Sequence, residues 1–295
     1  MRRGKLFRVA LIILPVLLAF AGCVRGPSQE EFPDSAEIFE QFDTIAARDI
    51  VGVSHIIDFM DKNMDSVTKE HGAQMILRLE EKQKEYLQYL EQILYTEEVQ
   101  EKFREEDDFS KDISNPEELT DPYLRELVAD MNRSGFKIER AEGSYFPIID
   151  YAFFEKYSKY VTAEIRQYLR LMQAESDRAS MADGALAVTW EELMQRALDS
   201  EDFLTDYPES KKKEEVATLF DRYRNALLNG LPNTPIFDYT GDNMLKAEVR
   251  SVFENALEKG RESQLLKDLV DFLGVLEESD YRLTEEVETF LEDRR

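Results

Sequence analysis

Apolar side chains recur every three or four residues along two N-terminal segments, 35–64 and 66–95, and this spacing predicts two long amphipathic helices. Because only a short connection separates the segments, an antiparallel pair is favoured. Gly52 and Gly72 lie inside the segments, and a glycine costs a helix interior about 1 kcal/mol relative to alanine. A break near either glycine is therefore compatible with the pattern.

An acidic stretch with little periodicity follows the second segment. Residues 97–122 contain a dense run of Asp and Glu, which is typical of a linker or a long loop. We predict a helical pair over 34–106, an acidic linker over 107–122 and a second domain over 123–295.

The start of the second domain carries the signal for a β-element. A short helix is predicted at 123–134, ended by Gly135. In the following segment, β-branched and aromatic residues flank Glu142-Gly143, which predicts a β-hairpin or an extended crossover. Pro147 cannot donate a backbone hydrogen bond, so it favours an edge position.

Helical periodicity then resumes and continues to the end of the chain. The predicted helices are 150–160, 162–176, 189–204, 210–230, 243–260, 263–277 and 284–293. Hydroxyl side chains precede most of these runs, as expected of helix N-caps: Thr162, Thr189, Ser210, Ser263 and Thr284. The predicted fold class is all-α: a long N-terminal helix pair and an irregular helical-hairpin domain with one small β-hairpin.

The C-terminal part of the chain repeats itself at an interval of 53 residues. The segment FLTDYPESKKKEEVATLF at 203–220 resembles the turn of tetratricopeptide-like helical hairpins, and ALEKGRESQLLKDLVDFL at 256–273 is a related copy without Tyr-Pro. This resemblance implies stacked hairpins with a concave face. An irregular helical bundle explains the same periodicity, and the sequence leaves both arrangements open.

The N-terminus has the organisation of a signal peptide. Basic residues precede an apolar run from Val9 to Phe20, and small residues lead to Cys23, the single cysteine of the chain. The run has about a dozen residues, whereas a membrane-spanning helix needs roughly 20. Ala21-Gly22-Cys23 resembles the lipobox of bacterial lipoproteins, which implies lipidation at Cys23. The alternative is an ordinary signal peptide with an incidental cysteine.

The lipobox resemblance sets the expected location of the protein. It implies a signal peptide over 1–22, a lipidated tether over 23–33 and a body held at the cell membrane, outside the cytoplasm. Two or three acyl chains give stable attachment, whereas a single chain binds only marginally. The membrane is therefore the first partner that the sequence predicts.

Charge and composition restrict the other partners. The chain carries a formal net charge of -25, with 43% hydrophobic and 11% aromatic residues, which is the composition of a folded protein. Nucleic acid is excluded as a partner because phosphate binding needs a basic surface. Cationic partners and divalent ions stay open, although most of the carboxylates serve solubility in the simplest interpretation.

Two histidines suggest the one metal-site hypothesis that the sequence offers. His55, Asp58 and Asp61 are spaced three residues apart on a predicted helix, and His71 lies on the partner helix. The same residues also fit a polar helix face, and their spacing matches no recognised ligand motif. We therefore predict no metal, no cofactor and no catalytic residue.

Two aromatic segments with prolines form the candidate recognition surface. Its residues are Tyr145, Phe146, Tyr151, Phe237 and Tyr239. Tyrosine offers a large contact area with a polar tip, which suits a recognition groove. Such segments also close helix ends over a core, and the sequence allows either role.

These observations favour a non-enzymatic, lipid-anchored envelope protein that binds another protein or a peptide, or acts as a scaffold. One alternative is the substrate-binding component of a transport system, which would call for two α/β lobes. Another is a cell-wall hydrolase, which would need a pair of carboxylates in a cleft.

Overall fold

Helices make up most of the regular structure, as predicted. The computed structural model describes residues 34–48, 52–108, 110–258 and 260–294; the predicted signal peptide, Cys23 and the tether lie outside these residues. The α-helices are α1 Ser35–Ala46, α2 Val53–Asn63, α3 Lys69–Leu94, α4 Glu97–Glu106, α5 Pro122–Arg133, α6 Ala163–Asp177, α7 Trp190–Asp206, α8 Lys213–Asn229, α9 Ala247–Glu258, α10 Gln264–Glu278 and α11 Glu285–Glu292.

Short 3-10 helices and strands complete the regular structure of the described residues. The 3-10 helices are Met64–Ser66 and Tyr151–Tyr160. The strands are β1 Phe136–Ala141, β2 Ser144–Ile149, β3 Met181–Ala182 and β4 Ala185–Leu186. They form two separate antiparallel two-stranded sheets, β1-β2 and β3-β4.

The two N-terminal glycines have opposite effects on their helices. Gly52 precedes α2, so the predicted helix 35–64 is divided into α1 and α2. Gly72 lies inside α3, which continues unbroken. A Cβ at residue 72 would lie 2.2 Å from the carbonyl oxygen of Tyr160. The absence of a side chain there lets the end of the long 3-10 helix approach α3.

Residues 97–106 form α4, where the sequence pattern predicts a linker or loop. The helix buries Val99 and Phe103, a single pair at i and i+4 that is too short to give a clear period. The following loop folds back onto α4, because the buried Glu106 carboxylate accepts hydrogen bonds from the backbone N–H groups of Thr120 and Asp121, at 3.0 and 2.6 Å from Oε1.

The predicted β-hairpin is present as β1 and β2. The register pairs Phe136 with Ile149 and Ala141 with Ser144, which leaves Glu142 and Gly143 as a two-residue turn with φ angles of 50° and 75°. Positive φ at both positions is the requirement of a type I′ turn. The second hairpin, β3-β4, turns at Asp183-Gly184 and was not predicted, although Asp-Gly is a turn signal.

The segment after β2 forms a 3-10 helix because its aromatic residues repeat every three positions. Side chains at i and i+3 are aligned in a 3-10 helix, so Tyr151, Phe154, Tyr157 and Tyr160 share one face. The first three are buried, and Tyr160 packs against the core from a partly exposed position. The long 3-10 helix therefore presents one aromatic face to the core, and Glu155 and Ser158 lie next to this face.

The sequence repeat corresponds to two helical hairpins, α7-α8 and α9-α10. The repeat-related positions have matching environments. Val216 and Leu269 are both 0% exposed, and Tyr223 and Leu276 are 1% and 0% exposed. The tetratricopeptide-like arrangement itself stays a prediction. Among the described residues, no helix combines the length and hydrophobicity needed to cross a bilayer.

Candidate functional site

A cleft of about 210 Å³ lies between the long 3-10 helix and α6. Its floor consists of Tyr151, Phe154 and Leu169, which are all buried. Polar and charged side chains surround this floor. We call it the α6 cleft; it is lined by Tyr151, Phe154, Glu155, Ser158, Arg166, Leu169, Arg170 and Gln173.

Two arginines occupy the cleft wall one helical turn apart. Arg166 is held in place because its Nε donates to the carbonyl oxygen of Ser158 at 2.9 Å and its Nη2 to that of Val161 at 3.3 Å. Arg170 is exposed and hydrogen-bonds to no described residue. Neither guanidinium forms an ion pair with a carboxylate of the described residues. Like charges at i and i+4 destabilise a helix by about 0.2–0.5 kcal/mol, so this arrangement works against the stability of α6.

The other end of the cleft carries an amide and a carboxylate. Gln173 Nε2 donates to Glu155 Oε1 at 3.2 Å and to Asp177 Oδ2 at 3.2 Å. Arg166 contacts Ser158 and Gln173 contacts Glu155, so α6 runs antiparallel to the long 3-10 helix. Along α6, Arg170 lies between Arg166 and Gln173. One end of the cleft is therefore cationic. The other end carries the Gln173 amide and the Glu155 carboxylate, which supply hydrogen-bond donors and acceptors.

The floor of the α6 cleft is connected to an ionic cluster that extends from the buried Glu80 to the exposed Lys84 and Glu215. The Tyr151 hydroxyl donates to Glu80 Oε1 at 2.6 Å, and Glu80 is completely buried. Tyr168 also hydrogen-bonds to Glu80 and lies 2.6 Å from Glu215 Oε2. We call this group the Glu80 cluster: Glu80, Lys84, Tyr151, Tyr168, Lys212 and Glu215.

Two lysines balance the two carboxylates of the Glu80 cluster. Lys212 Nζ lies 2.7 Å from Glu80 Oε2 and 3.1 Å from Glu215 Oε1. Lys84 Nζ lies 3.2 Å from Glu80 Oε1 and 3.0 Å from Glu215 Oε1. Each ammonium group thus bridges both carboxylates. This compensates charges that would be costly to bury alone.

Burial, charge and hydrogen bonding shift the pKa values of Tyr151, Tyr168 and Glu215 in this cluster. Burial, followed by the charge of Glu80, raises the pKa of Tyr151 and of Tyr168 far above the usual tyrosine range. Burial also opposes ionisation of Glu215, but hydrogen bonds from Tyr168, Lys84 and Lys212 outweigh it and lower the pKa of Glu215 to about 2. Glu215 is therefore ionised at neutral pH, whereas a general acid needs a raised pKa.

A second cleft, of about 280 Å³, lies on the other side of Arg170. Arg170, Leu171 and Tyr223 are among its lining residues. Beside it, Glu175 Oε1 accepts hydrogen bonds from Arg196 Nη1 and from the Tyr223 hydroxyl, both at 2.6 Å. Burial opposes the ionisation of Glu175, but the Tyr223 hydrogen bond, the charge of Arg222 and the hydrogen bonds from Ser180 and Arg196 outweigh it and lower the pKa of Glu175. Arg170 is thus shared by two neighbouring clefts.

The predicted recognition residues do not form one surface. Tyr145, Tyr151 and Phe237 are buried, with 5%, 6% and 2% exposure, so the structure places them in the core. Phe146 is partly exposed, and Tyr239 is 59% exposed. Of the five, Tyr151 alone lines one of the clefts described above. Tyr145 donates to Asp107 Oδ2 at 2.9 Å, and burial raises its pKa to about 12.

The two histidines also lie in different environments. His55 is exposed. His71 Nδ1 lies 2.7 Å from Ser35 Oγ, and its ring stacks on Phe39 at 4.9 Å between centroids. Asp61 accepts hydrogen bonds from Lys156 and Tyr157. Within the described residues, no group of three or more His, Cys, Asp and Glu side chains is arranged to hold a metal ion.

Sequence reasoning missed the arginines of the α6 cleft. The i, i+4 spacing of Arg166 and Arg170 is visible in the sequence. The positions one turn after Arg170 are Gln173 and Ala174, so neither places an acidic residue beside it. That signal is weak without knowledge of the opposing wall. Within the Glu80 cluster, the spacings of Glu80 and Lys84 and of Lys212 and Glu215 are local signals for ion pairs, but the assembly of the cluster has none, because its members come from separate parts of the chain.

Comparisons with known proteins leave the site to be interpreted from its own geometry. No protein-family model, no curated protein and no solved structure matches this chain.

Proposed function

We propose that the protein is a non-enzymatic, lipid-anchored binding protein of the cell envelope and that its ligand is a protein or a peptide. The α6 cleft carries this proposal. It presents Arg166 and Arg170 without carboxylate partners in a chain of net charge -25. Two guanidinium groups without carboxylate partners among the described residues favour an external anionic partner group, because arginine forms strong paired hydrogen bonds to carboxylates and phosphates.

The carboxylates beside the cleft support a binding role over a catalytic one. Glu215 and Glu175 accept several hydrogen bonds from cationic and hydroxyl groups, and both pKa values are lowered. Residues held in this way stabilise the packing of α6 against its neighbours. They position the cleft wall without themselves presenting a proton to a ligand.

Membrane attachment is tested by changing the predicted lipidation site. We expect Cys23→Ala to move the protein from the membrane fraction to the soluble fraction of the native cell, whereas the unchanged protein stays with the membrane after a high-salt wash. Mass spectrometry of the mature N-terminus should show acyl groups on Cys23. Membrane retention of the Cys23→Ala protein, or an unmodified thiol, would contradict lipid anchoring.

Partner binding is tested by site-specific crosslinking in the same cells. A photoreactive residue at Gln173, in the α6 cleft, should give adducts with a protein or peptide. The matched control is a photoreactive residue at Thr218, which is exposed on α8. Adducts at both positions alike, or at neither, would argue against the cleft as the binding surface.

A further inference from the structure

The α6 cleft combines two cationic groups, of which Arg166 is held by hydrogen bonds, with a largely apolar floor. We infer that it binds the C-terminal carboxylate of a peptide whose last side chain is apolar. This inference rests on the proposed binding function and specifies its ligand. The carboxylate would lie against Arg166 and Arg170, and the last side chain would cover Phe154 and Leu169.

The arginine pair matches a carboxylate in both charge and shape. A guanidinium presents parallel N–H donors that fit the two oxygens of a carboxylate, which gives a strong charge-assisted contact. Arg166 is held by the Ser158 and Val161 carbonyl groups, so it loses little further freedom on binding. Arg170 is free of described partners and supplies the second guanidinium.

The surroundings favour a singly charged ligand over a phosphate. Glu155 lines the same cleft, and its carboxylate would repel a dianion more strongly than a monoanion. The net charge of -25 acts in the same direction. The floor of Tyr151, Phe154 and Leu169 is buried and largely apolar, which favours burial of an apolar side chain against it.

The size of the cleft limits how much of the peptide it encloses. Pockets for drug-sized molecules typically measure about 300–1,000 Å³, whereas this cleft measures about 210 Å³. A terminal residue therefore fits it better than a large ligand. The preceding peptide groups would pass Glu155 and Gln173, whose carboxylate and side-chain carbonyl oxygens offer acceptors for main-chain N–H groups.

The test compares acids with their amides. The full chain, purified in detergent, is titrated by calorimetry with N-acetyl-Ala-Ala-Phe, its Leu and Val analogues, and the C-terminal carboxamide of each peptide. At least one free acid should bind ten-fold or more tightly than its amide. Arg170→Ala should weaken that binding at least ten-fold, and Arg170→Lys should restore part of it, because a lysine keeps the charge but not the paired donors.

The control is Arg133→Ala, which removes an exposed charge paired with Asp130 on α5 and should leave binding unchanged. Circular dichroism verifies that each variant is folded. Equal binding of acid and amide for all three peptides would overturn the inference. So would an unchanged affinity in Arg170→Ala, or inorganic phosphate bound through Arg170 in place of the peptide acids.

The outcome can be separated from that of the proposed function. Crosslinking at Gln173 without any acid preference would leave a binding protein whose ligand is not a peptide carboxylate. An acid preference in a protein that is not lipidated would leave the ligand assignment intact and remove the anchor.

Discussion

Lys212 Nζ lies 2.7 Å from Glu80 Oε2, in a pair whose side chains are only 9% and 1% exposed. The contact joins α3 to the residue that precedes α8. Replacing a buried ion pair by apolar residues can be neutral, but removing one partner leaves an uncompensated buried charge and typically costs about 3–5 kcal/mol. The Glu80 cluster therefore couples distant segments through charges that depend on one another.

Loss of the Glu80 carboxylate should destabilise the protein strongly. We expect Glu80→Ala to lower the free energy of unfolding by about 3–5 kcal/mol, because Lys212 stays buried without its closest counter-ion. Urea denaturation followed by circular dichroism measures this change. The matched control is Glu81→Ala, whose exposed pair with Arg78 should contribute less than about 1 kcal/mol. Equal effects of the two substitutions would show that the cluster adds no stability of its own.

Glu106 should make stability depend on pH in the acid range. Burial opposes its ionisation, but hydrogen bonds from Thr120, Asp121 and Lys111 lower its pKa from 4.5 to about 2 in the folded protein. The folded state thus binds fewer protons than the unfolded state between these values, so the stabilisation is complete above pH 4.5 and is lost as the pH falls toward 2. We expect Glu106→Gln to be less stable than the unchanged protein at pH 7, by about 2 kcal/mol.

The difference between these proteins should shrink as the pH falls from 4.5 to 2. Urea denaturation at several pH values measures it. Glu105→Gln is the control, because Glu105 is exposed on the same helix and should leave the acid dependence unchanged. A Glu106→Gln protein that loses stability in parallel with the unchanged protein would contradict the assignment.

The two arginines of the α6 cleft should differ in their effect on folding. Arg166→Ala removes hydrogen bonds to the Ser158 and Val161 carbonyl groups and should cost about 1.5–3 kcal/mol. Arg170→Ala removes no hydrogen bond or ion pair with a described residue and relieves a like-charge pair, so its effect should stay within about 0.5 kcal/mol. Denaturant unfolding of the two variants compares them directly. A large loss in Arg170→Ala would mean that this residue stabilises the fold.

Local signals explain how much of the fold was predictable. Thr162, Thr189 and Ser263 each accept a hydrogen bond from a backbone N–H in the first turn of their helix, which is the interaction that their sequence positions predict. Ser210 was predicted as a cap, but α8 begins at Lys213. Ser210 instead bonds to Glu164 and accepts a hydrogen bond from the N–H of Lys212, a tertiary arrangement without a local signature.

The candidate site was less predictable because it depends on contacts between distant segments. The aromatic residues near 145–160 are prominent in the sequence, but their burial follows from two different periods: alternation in β2 buries Tyr145, and the three-residue period of the 3-10 helix buries Tyr151, Phe154 and Tyr157. Tyr145 illustrates the limit: its ring lies in the core against Phe103 at 5.1 Å between centroids, although its segment resembles an exposed aromatic loop. The arginines of α6 are recognisable as part of a candidate site only when the fold places them in one cleft with Phe154 and Ser158.

Gly72 and Gly274 offer a final test, because both lie inside helices but in different surroundings. A Cβ at residue 72 would lie 2.2 Å from the Tyr160 carbonyl oxygen, whereas one at residue 274 would meet no atom within 4 Å. Gly72→Ala should therefore lower the free energy of unfolding by about 1–3 kcal/mol through overpacking. Gly274→Ala should raise it by about 0.5–1 kcal/mol, since alanine is the better helix former. Thermal and urea unfolding of both variants measure the contrast, and stabilisation by Gly72→Ala would refute the close approach of α3 and the long 3-10 helix.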